Sequence, residues 1–237
     1  MVENEYVQVL NEIKKIFEKN KIPIWLEDGT LLGAYRDKKI IEGDEFDIDI
    51  GILKSSIKKK LQRKKLSLDL SKKGFSTFFF WDVINIVKGK IGIDVIIIHD
   101  SKEAAFKFRE RSDGDKSKEF LRWMNKLKTV EYYGPISLDK KGIFKIFNFL
   151  PNFLKRGLYS LFLSIVPKDK RPFYYELKID KKYFSNLKNL RYYGMSFYIP
   201  NYVEEYLTLN YGNWKEPIKK GKKWDWREYG EWKRKNG

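Results

Sequence analysis

The sequence contains no cysteine and a single histidine, His99. Without thiols, disulfides, thiolate catalysis and cysteine-ligated zinc are excluded together. One imidazole likewise excludes a histidine-rich metal site within the chain. Chemistry here must run on carboxylates, hydroxyls, amines and oxygen-ligated metals. Long apolar runs are also missing: the longest uncharged apolar stretch, Gly157 to Pro167, is too short for a bilayer core of roughly 30 Å. The opening residues carry Val7, Leu10, Ile13, Ile16 and Phe17 at helical spacing between charges, which predicts an amphipathic first helix rather than a signal peptide. The expectation is a cytoplasmic protein, peripheral on the inner membrane face at most.

What is present is charge and aromatic bulk. The 237 residues are 42% hydrophobic and 16% aromatic, with 49 Lys and Arg against 32 Asp and Glu, a net charge of +17. That is material for one domain or a core with an appended part, with charge interleaved rather than segregated. The excess of positive charge attracts polyanions such as nucleic acid, anionic lipid or phosphorylated substrates, without choosing among them.

Pattern divides the chain near residue 135. Up to that point Ile22 to Glu27, Glu45 to Ile52, Phe75 to Val83, Ile84 to Val87 and Gly92 to Ile98 read as strands, and Lys54 to Lys65, with seven positive charges and no acid, reads as a basic helix. The expected fold class is α+β, a mixed sheet flanked by helices. Residues 1–135 are expected to form the catalytic core. Residues 136–237, aromatic, basic and mainly helical, complete the substrate site, with both parts compatible with one continuous domain. Two segments of the second part stand out. Ile143 to Val166 has a wide apolar arc, which fits core packing or an interfacial surface at an anionic membrane. Lys215 to Lys235 has nine basic and four acidic residues with Trp224, Trp226, Tyr229 and Trp232, which fits a docked tail or a surface that stacks bases or grips sugars.

The candidate chemistry lies in three places. On a strand, residues i and i+2 share a face about 6–7 Å apart, so Asp47 and Asp49 converge, with Glu45 next in the row. Phe46, Ile48 and Ile50 point the other way. Carboxylates so close are unfavourable without a cation between them, and Mg²⁺ or Mn²⁺ takes such oxygen ligands. Asp94, inside the apolar run Ile91 to Ile98, is a costly buried charge unless it joins the same metal. Asp28-Gly29-Thr30 precedes a short helix, where backbone N–H groups and the Thr30 hydroxyl suit a phosphate. A solvated surface pair, a structural aspartate and a plain helix cap are the respective bland alternatives. His99 reads as structural.

The order of these parts follows the pattern of the nucleotidyltransferase superfamily. More closely, Gly29-Thr30-Leu31-Leu32-Gly33-Ala34-Tyr35-Arg36 followed by Asp47-Ile48-Asp49-Ile50-Gly51 resembles the LicD family, which includes bacterial phosphocholine transferases and the fukutin-type ribitol-phosphate transferases. Ile199-Pro200-Asn201-Tyr202-Val203-Glu204-Glu205-Tyr206-Leu207 with Tyr211-Gly212-Asn213-Trp214 is similar to that family's closing signature. Family members often carry Pro-Trp-Asp before the acidic strand; here Glu42-Gly43-Asp44-Glu45 stands, so that either Glu45 or Asp44 takes the place of the first acid.

The resemblance implies a CDP-linked donor held through Mg²⁺ or Mn²⁺ on Asp47, Asp49, Asp94 and Glu45, with Asp94 either a ligand or the base. Gly29, Thr30 and Arg36 are candidate phosphate contacts, and Asp28, Tyr211 and Trp214 further substrate contacts. A phospho-alcohol would pass to a hydroxyl of a glycan or lipid-linked glycan, releasing CMP. A nucleotidyltransferase releasing pyrophosphate from an NTP, a nucleic-acid-binding module and a catalytically dead scaffold are the competing readings. No RNA-binding signature is present, so no specific nucleic-acid partner is expected.

Overall fold

The computed structural model describes residues 2–111, 131–133, 151–165, 167, 173–217 and 228–236. Helix α1 (Val2–Lys19) buries Tyr6, Val9, Leu10, Ile13, Ile16 and Phe17, the stripe expected of an amphipathic helix on a core. Each such side chain contributes roughly 1.5–3 kcal/mol when fully buried. The helix ends at Asn20, whose side-chain amide donates to the Ile16 carbonyl and to Asp69, both at 2.9 Å. It is thereby tied to the helix that spans Lys60–Ser71.

The remaining elements, in order, are β1 (Trp25–Leu26), α2 (Asp28–Leu32), one wide π-helical turn (Gly33–Asp37), β2 (Asp47–Leu53), a 3-10 turn (Lys54–Ile57), α3 (Lys60–Ser71) and β3 (Ser76–Phe79). Then come β4 (Val83–Lys88), β5 (Ile91–Asp100), β6 (Ala105–Arg111), β7 (Glu131–Tyr133), α4 (Asn152–Ile165) and β8 (Phe173–Ile179). The chain continues with α5 (Lys182–Ser185), β9 (Lys188–Tyr192), β10 (Met195–Ile199), α6 (Val203–Tyr211) and β11 (Trp232–Asn236). The architecture is α+β, a mixed sheet flanked by helices. Its order is β11-β8-β6-β5-β2-β1-β10-β9, with β4, β3 and β7 branching from β5.

Strand β5 is the hub. Its residues Ile91, Ile93, Val95, Ile96, Ile97 and Ile98 are all buried, as expected of a strand covered on both faces. It pairs in parallel with β2 over the full length of β2, antiparallel with β4 at its start and with β6 at its end. Beside β2, the indole of Trp25 lies against Gly51; a Cβ there would fall 2.3 Å from the ring. Only glycine lets β1 close on β2 with that tryptophan inside.

Several boundaries differ from the periodicity. The acidic strand begins at Asp47, since residues 43–46 form a turn. The basic helix divides into a 3-10 turn and α3, whose buried Leu66 and Leu70 carry it past Lys65 to Ser71. Among the described residues the C-terminal part holds four strands besides α4, α5 and α6, and these extend both edges of the main sheet. Residues 143–150, Trp224 and Trp226 lie outside the described residues. Among the described residues no helix is long and apolar enough to cross a membrane.

Candidate active site

The parallel register of β2 and β5 sets Asp49 opposite Asp94 and Asp47 opposite Gly92. Asp47 shares a face with Asp49, so three carboxylates from two adjacent strands are brought to one surface. On the far side of β5, Asn85 is paired with Asp94 and its side-chain amide donates to that carboxylate.

The electrostatics follow from this crowding. Burial first, then repulsion from Asp94, Asp44 and Asp28, pushes the Asp47 carboxyl up to about 6. Burial, then Asp28, Asp47 and Asp94, raises Asp49 well above the ordinary range, with Arg109 acting against the shift. No basic side chain forms an ion pair with Asp47 among the described residues.

Gly29 and Thr30, expected as a turn before the helix, lie in the first turn of α2 itself and close over these strands. The Gly29 N–H donates to Asp49 Oδ2 at 3.0 Å. The Asp49 N–H donates to Thr30 Oγ1 at 2.8 Å, and that buried hydroxyl shares a further hydrogen bond of 3.3 Å with Tyr6. A Cβ at Gly29 would lie 3.0 Å from Asp44 Oδ2 and 3.2 Å from Asp49 Oδ2. The turn is therefore fastened to the acidic strand. Gly29, Thr30, Asp44 and Asp47, backed by Tyr6 and Tyr192, line a shallow recess.

Asp44 rather than Glu45 extends the acidic group. Glu45 lies in the turn before β2 and accepts from the Gly43 N–H at 3.0 Å, so it turns back on its own loop. The Asp44 carboxyl faces Gly29 and is raised by burial and by Glu45.

Behind the turn lies a buried ionic network not foreseen from the sequence. Lys107, 1% exposed, donates to Glu27 at 2.8 Å and to Asp28 at 2.6 Å. Arg109 donates to Asp28 at 2.7 Å. Glu27, wholly buried, also accepts from Trp25 Nε1 at 2.6 Å and from the Tyr206 hydroxyl at 2.5 Å. Burial alone would raise Asp28, but Arg109 and Lys107 outweigh it and hold the carboxyl below its ordinary value. Two cations thus balance Glu27 and Asp28.

The other sequence candidates divide. The Tyr211 phenol is raised well above its usual range by burial, then by the charges of Asp28 and Asp49, so it stands at the acidic site. Arg36 spends its fork on Asp37, at 2.8 and 2.7 Å, and on the Trp214 carbonyl at 3.2 Å. Trp214 is buried and packs edge-on against Tyr35, ring centroids 5.6 Å apart. These three join the opening and closing motifs. His99 Nδ1 faces the Lys54 ammonium at 3.2 Å and Nε2 the Trp81 carbonyl at 2.9 Å. Burial and Lys54 lower its pKa.

The donor chemistry, all carboxylate oxygen, fits a hard divalent cation such as Mg²⁺ or Mn²⁺. Among the described residues no three acidic or imidazole side chains already stand as a closed set around one point. The strand register, and not the side-chain rotamers, supplies the convergence.

Residues 21–92 match the family model described as LicD/FKTN/FKRP, nucleotidyltransferase domain. Over this stretch the chain is similar to that family's domain. The match takes in the Gly29–Thr30 turn, Asp47 and Asp49, and stops short of Asp94. Two curated relatives carry a similar segment. Uncharacterized protein RP689 of Rickettsia prowazekii (strain Madrid E) is 33% identical over 95 residues, 40% of this chain and 34% of that protein. Uncharacterized protein RT0683 of Rickettsia typhi (strain ATCC VR-144 / Wilmington) is 29% identical over 96 residues, 40% of this chain and 29% of that protein. The chain thus spans about a third of the length of the curated relatives it matches. Among solved structures, a crystal structure of ANT(2")-Ia in complex with adenylyl-2"-tobramycin covers 67% of this chain and 97% of its own, at 15% identity and a TM-score of 0.33. A solution structure of the antibiotic-resistance factor ANT(2'')-Ia covers 68% and 93%, at 14% identity and a TM-score of 0.35.

Proposed function

We propose that the protein is a metal-dependent transferase that moves a phospho-alcohol, such as phosphocholine or ribitol phosphate, from a CDP-linked donor to a glycan hydroxyl, with release of CMP. The observation that carries this reading is the register of Asp49 with Asp94 beside Asp47, under the Gly29–Thr30 turn, in a stretch that matches the LicD model. Asp47, Asp49 and Asp94 would hold Mg²⁺ or Mn²⁺. When bound, such an ion supplies charge neutralisation and in-line positioning of the transferring phosphoryl group.

The chain's own residues do the rest. Thr30 and Gly29 hold the Asp49 carboxylate and backbone in place, and Tyr6 buttresses Thr30. Lys107 and Arg109 offset the charge of Glu27 and Asp28, of which Asp28 is still felt at Asp47 and Asp49. Asp94, steadied by Asn85, would take the proton of the attacking hydroxyl. That hydroxyl forms the new bond to the phosphorus distal to the nucleoside, the P–O bond to CMP breaks, and CMP leaves with the electron pair. The acceptor we propose is a glycan or lipid-linked glycan, presented at the inner face of an anionic membrane.

The test is a donor panel. The protein is incubated with Mg²⁺ or Mn²⁺, a mixed glycan acceptor and CDP-choline, CDP-ribitol, CDP-glycerol or an NTP, and CMP is assayed against pyrophosphate. CMP from one CDP-alcohol is the expected result. Pyrophosphate from an NTP would replace this reading with nucleotidyl transfer, which the name of the matching family model also favours.

A further inference from the structure

The face that carries the aspartates changes character across the sheet. Lys107 and Arg109 are two apart on β6 and both reach Asp28, but they differ in exposure. Lys107 is 1% exposed and cannot meet a ligand, whereas the Arg109 side chain is 25% exposed. The charge of Arg109 is also felt at Asp49 and at Tyr211. It is the cation at the rim of the acidic group.

Outward from Arg109 the register is continuous. Arg109 stands opposite Tyr175 on β8, and Tyr175 opposite Arg234 on β11. Directly opposed residues project to the same face, so the three form a row. Trp232, two pairs along and on the same face, stands opposite Leu177. The Arg109 guanidinium lies 5.8 Å from the Trp232 ring centroid. Arg234, exposed, lies over the Phe173 ring at 3.9 Å. The basic aromatic end of the chain is therefore docked as an edge strand, and it sets cations and rings beside the carboxylates.

We infer that Arg109, Arg234 and Trp232 form a subsite for the nucleoside-monophosphate half of the substrate, with the arginines on its phosphate and Trp232 on its base. The chemistry of the row selects this class. Guanidinium forks match phosphate oxygens, and an indole offers a stacking plane that a base accepts whatever its identity. An indole can also face a sugar, so the response of Trp232→Ala to cytidine is what separates a nucleotide from a glycan. The inference rests on the reading of the neighbouring carboxylates as a phosphoryl-transfer site and says where the donor's nucleotide lies relative to them.

The test is calorimetric titration of the full chain with CMP, cytidine and inorganic phosphate, in the presence of Mn²⁺. CMP should bind more tightly than either part. Arg234→Ala, at an exposed position, should weaken CMP and phosphate by about tenfold, the value of one charge-assisted hydrogen bond, and leave cytidine unchanged. Trp232→Ala should weaken CMP and cytidine by a similar factor, with its melting transition recorded because the ring also packs on the core. CMP affinity unchanged in Arg234→Ala, or CMP no tighter than phosphate in the wild type, overturns the subsite. The two proposals separate cleanly. CMP binding that depends on Arg234 without turnover of any CDP donor rejects the transferase and keeps the subsite. Turnover with an unchanged donor KM in Arg234→Ala does the reverse.

Discussion

The ammonium of Lys107 lies 2.6 Å from Asp28 and 2.8 Å from Glu27, with all three side chains at most 10% exposed. One cation thus joins β6 to the turn that covers the acidic strand. Removing one partner of a buried ion pair leaves an uncompensated charge and costs about 3–5 kcal/mol. Lys107→Met should lower stability by that amount in urea denaturation, and Glu27→Gln in the same chain should restore part of it. A loss no greater than the roughly 0.5 kcal/mol of a surface substitution would refute the network's structural role.

Asp47→Asn and Asp49→Asn should each abolish the transfer reaction, by at least about a hundredfold, if the carboxylates hold the ion that neutralises the transferring group. Neither should unfold the protein, because an amide oxygen can still accept the Gly29 N–H at residue 49. CMP release and thermal melting, measured on the same preparations, check both halves.

The raised pKa of Asp47 gives a pH dependence. Its carboxyl titrates near 6 in the folded chain against 3.8 as a free side chain. Between those values the folded state holds a proton that the unfolded state has released. This group's contribution to stability is therefore greatest below pH 3.8 and is lost as the pH rises through 6, in the metal-free protein. Water reaches Asp47 at the start of β2, so solvent screening reduces the effect. Chemical denaturation at pH 4.5 and pH 7, with and without Asp47→Asn, should find the variant gaining most at pH 7. Divalent-ion binding should run the other way and weaken below pH 6, since protons compete for the same oxygens.

Gly51→Ala tests the packing behind the site. Its Cβ would fall 2.3 Å from the Trp25 ring, and overpacking of this kind costs about 1–3 kcal/mol. A matching loss in denaturation, with a shift in tryptophan emission, is the expected outcome.

The exposed apolar side chains of α4 bear on the membrane reading. Leu154, Leu158, Leu161 and Ile165 recur at helical spacing and are 43%, 40%, 61% and 75% exposed. Sedimentation with anionic vesicles at low salt should retain the protein, and Leu158→Ser with Leu161→Ser should release it. Equal retention of both at high salt would remove the electrostatic part of that reading.

Much of this site could be seen in the sequence because its geometry is local. Residues i and i+2 of a strand must share a face, so Asp47 and Asp49 were paired by spacing alone. The apolar run around Asp94 marked a strand covered on both sides, which is the kind that lies next to another buried strand. What lay hidden depends on distant chain. The alternation Phe106-Lys107-Phe108-Arg109 reads as an edge strand with its charges in water, and nothing within it announces that Glu27 and Asp28 wait behind. Glu45 fitted the period but falls in a turn, because the chain reverses at Gly43, whose φ of +100° ends any extended run. Asp44 takes the place beside Gly29 for the same reason. Arg36 drew attention as a fork without a partner, and the partner proved to be the adjacent Asp37 together with a carbonyl 178 positions later.

Strand β1 has β10 as its parallel neighbour, Trp25 opposite Tyr198, and the Glu27 carboxylate takes the Tyr206 hydroxyl. During synthesis the ribosome delivers roughly 5–20 residues per second, so β1 must wait several seconds or longer for the segment that completes it. Over that interval the nascent chain carries an open sheet border flanked by apolar strands, which is the condition in which chaperones are engaged.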